Sequence, residues 1–94
     1  MTPDRPDAAA EVVVRNPQGL HLRPATEFAK LVIASGCRVR VEADGAEADG
    51  ASVLELAMLG VVQGTTLRIS AEGAAADAAI QSLVALVAGG FSER

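Results

Sequence analysis

"CRVRVEADGAEAD", residues 37–49, decides the fold. Its first half alternates strictly: Cys37, Val39 and Val41 face one way, Arg38, Arg40 and Glu42 the other. A period of two with one apolar side describes a half-buried strand, the kind an antiparallel sheet accommodates. "ADG" (43–45) then supplies Asp-Gly, a strong hairpin turn signal. The chain should return as a short, weak strand over "AEAD" (46–49).

Two further strands and three helices surround this hairpin. "TTLRISAE" (65–72) alternates again, with Leu67, Ile69 and Ala71 on one face. "EVVVRN" (11–16) is rich in β-branched residues and reads as a strand that "NPQG" (16–19) breaks. Ala25, Phe28, Ala29, Val32 and Ile33 form the stripe of an amphipathic helix, with Thr26, Glu27 and Lys30 off it and "SG" (35–36) at its end. "SVLELAML" (52–59) is a short helix closed by Gly60. Ala76, Ala79, Ile80, Leu83, Val84 and Val87 mark a long one ended by Gly89-Gly90. The strands share one apolar face and the helices can cover it. The expected class is α+β: a two-layer sandwich whose antiparallel four-stranded sheet is covered on one face by helices and open to water on the other.

The 94 residues suit one domain, and half of them are hydrophobic, enough for a core. Phe28 and Phe91 are the only aromatics, so that core is built from Val, Leu, Ile and Ala. "MTPDRPDAAA" (1–10) carries two prolines and two aspartates and no apolar signal-peptide core; it reads as a mobile N-terminal tail. The domain then spans 11–90, with residues 91–94 a C-terminal tail.

A net charge of −4 argues against nucleic acid. No apolar run approaches the roughly 18–20 residues needed to span a bilayer, and the expected location is cytoplasmic. Cys37 is alone, so no internal disulfide can form, and it reads as a small buried core residue. One Cys and one His cannot make a structural zinc site. Neither metal nor cofactor is expected.

"NPQGLHLRPA" (16–25) holds the only histidine. With His21 as N-cap, Leu22, Arg23 and Pro24 occupy the first helical turn, where N–H groups lack internal acceptors and a proline fits. Gly19 lets the chain turn sharply just before the ring. The positive end of the helix dipole favours a neutral imidazole with a free lone pair, and the same N–H groups welcome a phosphate. Arg23 can neutralise phosphate oxygens. The pattern points to a histidine that carries a phosphoryl group. No carboxylate stands beside it in sequence to make a triad. Ser52 and Glu55, in "SVLE", have the form of a capping box.

"GLHLRPATEFAK" (19–30) resembles the phosphorylation-site signature of the HPr family, the histidine-containing phosphocarriers of the bacterial phosphoenolpyruvate-dependent phosphotransferase system. "GASVLELAMLGVVQGTTLRISAEG" (50–73) resembles that family's serine-site segment and the strand after it; the likeness runs over residues 11–88. The resemblance implies an open-faced β-sandwich of βαββαβα order. It implies that enzyme I phosphorylates His21 on Nδ1, that Arg23 is the active-site arginine, and that the group passes to a histidine on an enzyme IIA. Such a chain is a stoichiometric carrier and not an enzyme, and it is expected to be a monomer. Ser52 matches the regulatory serine served by a dedicated kinase and phosphorylase. Leu22, Thr26, Val53, Leu54, Glu55 and Met58 match the partner-docking face, with Glu55 making its rim acidic. The alternative implied is a regulatory or nitrogen-branch module that acts by phosphorylation-dependent docking, with Ser52 as its site. The family's acidic residues near the C-terminus are not matched position by position; here the chain ends "GGFSER".

Overall fold

The structure, a computed structural model, describes residues 5–93. The element order is β1 (Ala8–Val13), α1 (Leu22–Ser35), β2 (Arg38–Ala43), β3 (Ala46–Asp49), α2 (Val53–Met58), β4 (Thr66–Glu72) and α3 (Ala76–Ala88), closed by a single 3-10 turn at Gly90–Ser92. The sheet order is β1-β4-β2-β3, with every neighbouring pair antiparallel. This is the α+β open-faced sandwich read from the alternating segments.

The alternation decides which side is dry. Val39, Val41 and Ala43 on β2 and Leu67, Ile69 and Ala71 on β4 are buried, while Arg38, Arg40, Glu42 and Arg68 stay exposed. Phe28, Ala29 and Val32 of α1, Leu56 of α2, and Ile80, Leu83 and Val87 of α3 meet that face. Cys37 is buried as expected. Gly36 closes α1 in the left-handed conformation at φ 72°, its N–H donating to the Ile33 carbonyl, as a C-terminal glycine does.

Two expectations fail at the ends of the chain. β1 starts at Ala8 and stops at Val13, instead of running over 11–16. Ala8, Ala9 and Ala10 pair with Ala71, Ser70 and Ile69. Residues 8–10 therefore belong to the sheet, not to the mobile tail expected over 1–10. Asp7 is held too: its N–H donates to the Ala71 carbonyl and its carboxylate accepts from the Gly73 N–H. Alanine is a poor strand former, but cross-strand pairing and the half-burial of Ala8 and Ala10 outweigh the propensity here. The rest of that expected tail, residues 1–4, lies outside the described residues.

The expected C-terminal tail, 91–94, is likewise corrected. Phe91 is fully buried. Gly90, Phe91 and Ser92 all take left-handed backbone, at φ 69°, 57° and 62°. Such conformations are uncommon for residues other than glycine; burial of the Phe91 ring is the compensation on view. The turn sends Glu93 back toward the N-terminus of α1. Residue 94 lies outside the described residues.

Candidate functional site

His21 is the N-cap of α1, with extended backbone and no side-chain cap bond. The ring projects from the helix end instead of folding back on it. Gly19 sets up this presentation. It sits at φ 69°, and a Cβ there would come within 2.8 Å of the Val62 Cα. The loop is docked by the Leu20 N–H donating to the Val61 carbonyl at 3.2 Å. Pro24 is buried in the first turn. The N–H groups of Leu22 and Arg23 have no acceptor among the described residues, so the helix end keeps two donors for an anion.

The carboxylate missing from the neighbouring sequence arrives from the far end of the chain. Glu93 Oε2 lies 3.0 Å and Oε1 3.2 Å from His21 Nε2. The His21 side chain is 35% exposed and that of Glu93 13%. A carboxylate on Nε2 calls for a proton there, and the neutral ring then carries its lone pair on Nδ1. Asn16, only 2% exposed, completes the arrangement. Its Nδ2 donates to Glu93 Oε1 at 2.9 Å and to the Gly19 carbonyl at 2.6 Å. Burial pushes the Glu93 carboxyl upward, but the hydrogen bonds with Asn16 and His21, and the positive charge of His21 and Arg23, hold it below the ordinary carboxylate range.

Arg23 lines the same open depression as His21, together with Pro17, Gln18, Ser92 and Glu93. It is exposed, and its nearest ion pair is a loose one with Glu27, at 3.8 Å one turn along the helix. Such an arginine can turn to a new anion at little cost. The expected docking residues fall on two helices that pack against each other. Leu22 on α1 and Leu54 and Met58 on α2 are strongly exposed, Glu55 is exposed, and Thr26 and Val53 are half-buried. Val62, which the sequence reading passed over, is also exposed and adjoins Gly19.

Ser52 is the N-cap of α2, and its Oγ accepts from the Glu55 N–H at 3.2 Å. Only that half of the capping box closes. Glu55 reaches past the cap and accepts from the Asp49 N–H at 2.9 Å, because the Ser52 N–H is already donated to the Asp49 carbonyl. Among the described residues no group of His, Cys, Asp and Glu side chains is arranged to hold a metal. No helix there is long and apolar enough to cross a membrane.

Asn16 and Glu93 are the two site residues missed in the sequence. Asn16 reads as the start of a turn. The available signal for Glu93 was Phe91, a large apolar residue in an otherwise polar ending, which demands burial and so a returning chain.

The fold and site together define a class: small open-faced α+β sandwiches that present one histidine at the N-terminus of their first helix. The family model "PTS HPr component phosphorylation site" matches residues 8–89, and the chain belongs to the HPr family of the phosphotransferase system. Solved structures agree. HPr-C-His from Thermoanaerobacter tengcongensis is similar at 32% identity and a TM-score of 0.87, covering 93% of this chain and 98% of that one. The phosphocarrier protein HPr from Bacillus anthracis is similar at 28% identity and a TM-score of 0.81, over 85% of this chain and 95% of that one. Crh, the catabolite repression HPr of Bacillus subtilis, crystallised as a domain-swapped dimer, is similar at 29% identity and a TM-score of 0.71, over 96% and 97%. Curated protein sequences gave no match.

Proposed function

We propose that the chain is a cytoplasmic phosphoryl carrier that accepts a phosphoryl group from enzyme I on His21 and hands it to a histidine of an enzyme IIA. The observation that carries this reading is the hydrogen bond between His21 Nε2 and the Glu93 carboxylate. With the proton held on Nε2, Nδ1 attacks phosphorus: the P–Nδ1 bond forms as the bond to enzyme I breaks. The ring gains positive charge in that step, and Glu93 faces it. The phosphoryl oxygens then lie toward the free N–H groups of Leu22 and Arg23 and the Arg23 guanidinium. Transfer to enzyme IIA runs the same step in reverse. All these groups are drawn from a single chain, and the proposed carrier is a monomer.

Leu22, Thr26, Val53, Leu54, Glu55 and Met58 form the docking face for both partners. The test is incubation with phosphoenolpyruvate, enzyme I and Mg²⁺. An acid-labile phosphohistidine that disappears in His21→Ala is the expected product; absence of phosphate on the wild-type chain overturns the reading.

The likeness to Crh favours a second reading, a regulatory module in which a kinase and phosphorylase act on Ser52. Ser52 is half-buried at the edge of the docking face, and among the described residues its hydroxyl is engaged only by the Glu55 N–H. Phosphoserine, not phosphohistidine, as the form that binds a partner would select this reading over the first.

A further inference from the structure

Asn16 is almost wholly buried, and yet it spends its side chain on the site and not on the core. Both Nδ2 hydrogens are used, one on the Gly19 carbonyl at 2.6 Å and one on Glu93 Oε1 at 2.9 Å. Its Oδ1 has no partner among the described residues. A buried amide oxygen left unpaired costs free energy. Turning the amide over would set Oδ1 against the Gly19 carbonyl and the Glu93 carboxylate, two acceptors, so the orientation is fixed by its neighbours. The backbone of the same residue closes the loop, its carbonyl accepting the Gly19 N–H at 3.1 Å. Asn16 thus ties together two parts of the molecule: the turn that delivers His21 and the near-C-terminal Glu93 that hydrogen-bonds it.

We infer that Asn16 is a positioning residue for phosphoryl acceptance, acting through Glu93 to keep the His21 proton on Nε2 and the lone pair on Nδ1. Glu93 follows three left-handed residues, Gly90, Phe91 and Ser92, and its N–H donates to the Gly90 carbonyl at 2.9 Å; the backbone is held there, while among the described residues the carboxylate is held only by Asn16 and His21. The Asn16 amide occupies Oε1 and leaves Oε2 for the ring, the shorter of the two contacts. Without it, the carboxylate can swing into water and the ring can exchange its proton between the two nitrogens. The residue touches neither phosphate nor partner. Its loss should lower turnover without weakening docking. The rate effect rests on the carrier reading; the effect on the ring does not.

Two measurements test the inference. His21 is the only histidine, so long-range ¹H–¹⁵N correlation of the imidazole gives one unambiguous signal set. At alkaline pH, with the ring neutral, the wild type should be almost entirely the Nε2–H tautomer. Asn16→Ala and Asn16→Asp should both raise the Nδ1–H share; the aspartate keeps the size but repels Glu93. In phosphorylation by enzyme I, kcat should fall roughly 10-fold or more, the scale of a reacting atom misplaced by a fraction of an ångström, with KM unchanged. In a Glu93→Ala background, Asn16→Ala should change neither tautomer nor kcat. Wild-type tautomer ratio and rate in the single variants overturn the inference. So does an equal loss in the Glu93→Ala background, which would assign Asn16 to the loop alone, and so do variants that fail to fold. If the wild type accepts no phosphate, the carrier reading falls while the tautomer shift still decides the role of Asn16.

Discussion

Glu93 Oε2 sits 3.0 Å from His21 Nε2 although 72 positions separate the two residues. In the proposed carrier role the pair has the logic of the histidine–carboxylate half of a catalytic triad: the acid would fix which nitrogen is free and face the charge that develops on the ring. It is built by a turn at the end of the chain, not by the helix that presents the histidine.

The first prediction follows from that exposure. His21→Ala removes a partly exposed ring from an N-cap that makes no cap bond. The lost hydrogen bond to Glu93 should lower stability only modestly, by about 0.5–1.5 kcal/mol, and leave the fold intact. Phosphoryl acceptance should vanish. Thermal unfolding checks the first arm and intact-mass measurement after incubation with enzyme I and phosphoenolpyruvate the second; a phosphorylated variant would place the group elsewhere.

Arg23→Ala should separate function from stability in the same direction. Among the described residues the guanidinium has only the loose pair with Glu27, and an exposed helical pair of this kind contributes about 0.3–0.5 kcal/mol. Transfer should slow by an order of magnitude or more because a charge-assisted phosphate contact is lost. A sharp drop in melting temperature with normal transfer would instead make Arg23 structural.

The Glu93 contact should be sensitive to acid. The carboxyl is held below its ordinary value in the folded chain. A group depressed by folding adds stability above its unfolded-state value, and that stability is lost as pH falls through the folded-state value. The wild type should therefore exceed Glu93→Gln in stability at neutral pH, with the difference shrinking in acid, below the usual carboxylate range. Urea unfolding of both proteins across a pH series reads this; a difference that grows on acidification would contradict the sign.

Ser52→Asp should keep the melting temperature and slow phosphorylation by enzyme I. Aspartate caps helices as well as serine, whereas Ser52→Ala should cost about 0.5–2 kcal/mol. The new charge joins Asp49 and Glu55 beside the apolar Leu54 and Met58, and burying it under a partner without a cation is costly. Steady-state kinetics with enzyme I decide. An aspartate variant that is as good a substrate as the wild type reduces Ser52 to a helix cap.

Much of the molecule was legible in advance because period and punctuation agree. Residues 37–49 alternate, turn and return as read, and Gly36 ends α1 where "SG" says it should. His21 could be placed at an N-cap because Pro24 and Gly19 bracket it with matching backbone demands. The ends were harder. The β-branched run drew β1 toward residues 14–16, but the register on β4 extends it through alanines that carry no strand signal of their own. Asn16 and Glu93 were invisible as a pair because their meeting depends on left-handed backbone at Phe91 and Ser92, which local preference disfavours and tertiary burial imposes.

The strand order carries a kinetic consequence. β2 and β3 are joined by a tight turn at Asp44-Gly45, so their pairing closes a very short loop. β1 has no partner except β4, where Ala8 meets Ala71, so it docks only after most of the chain has been gathered. Closing so long a loop is entropically expensive and is rewarded late. β1 should therefore join after the rate-limiting barrier. In stopped-flow experiments Val12→Ala on β1 should chiefly speed unfolding, whereas Val41→Ala, on the strand that pairs with both β3 and β4, should chiefly slow folding. Equal effects of the two on the folding limb would mean that the sheet assembles in one step.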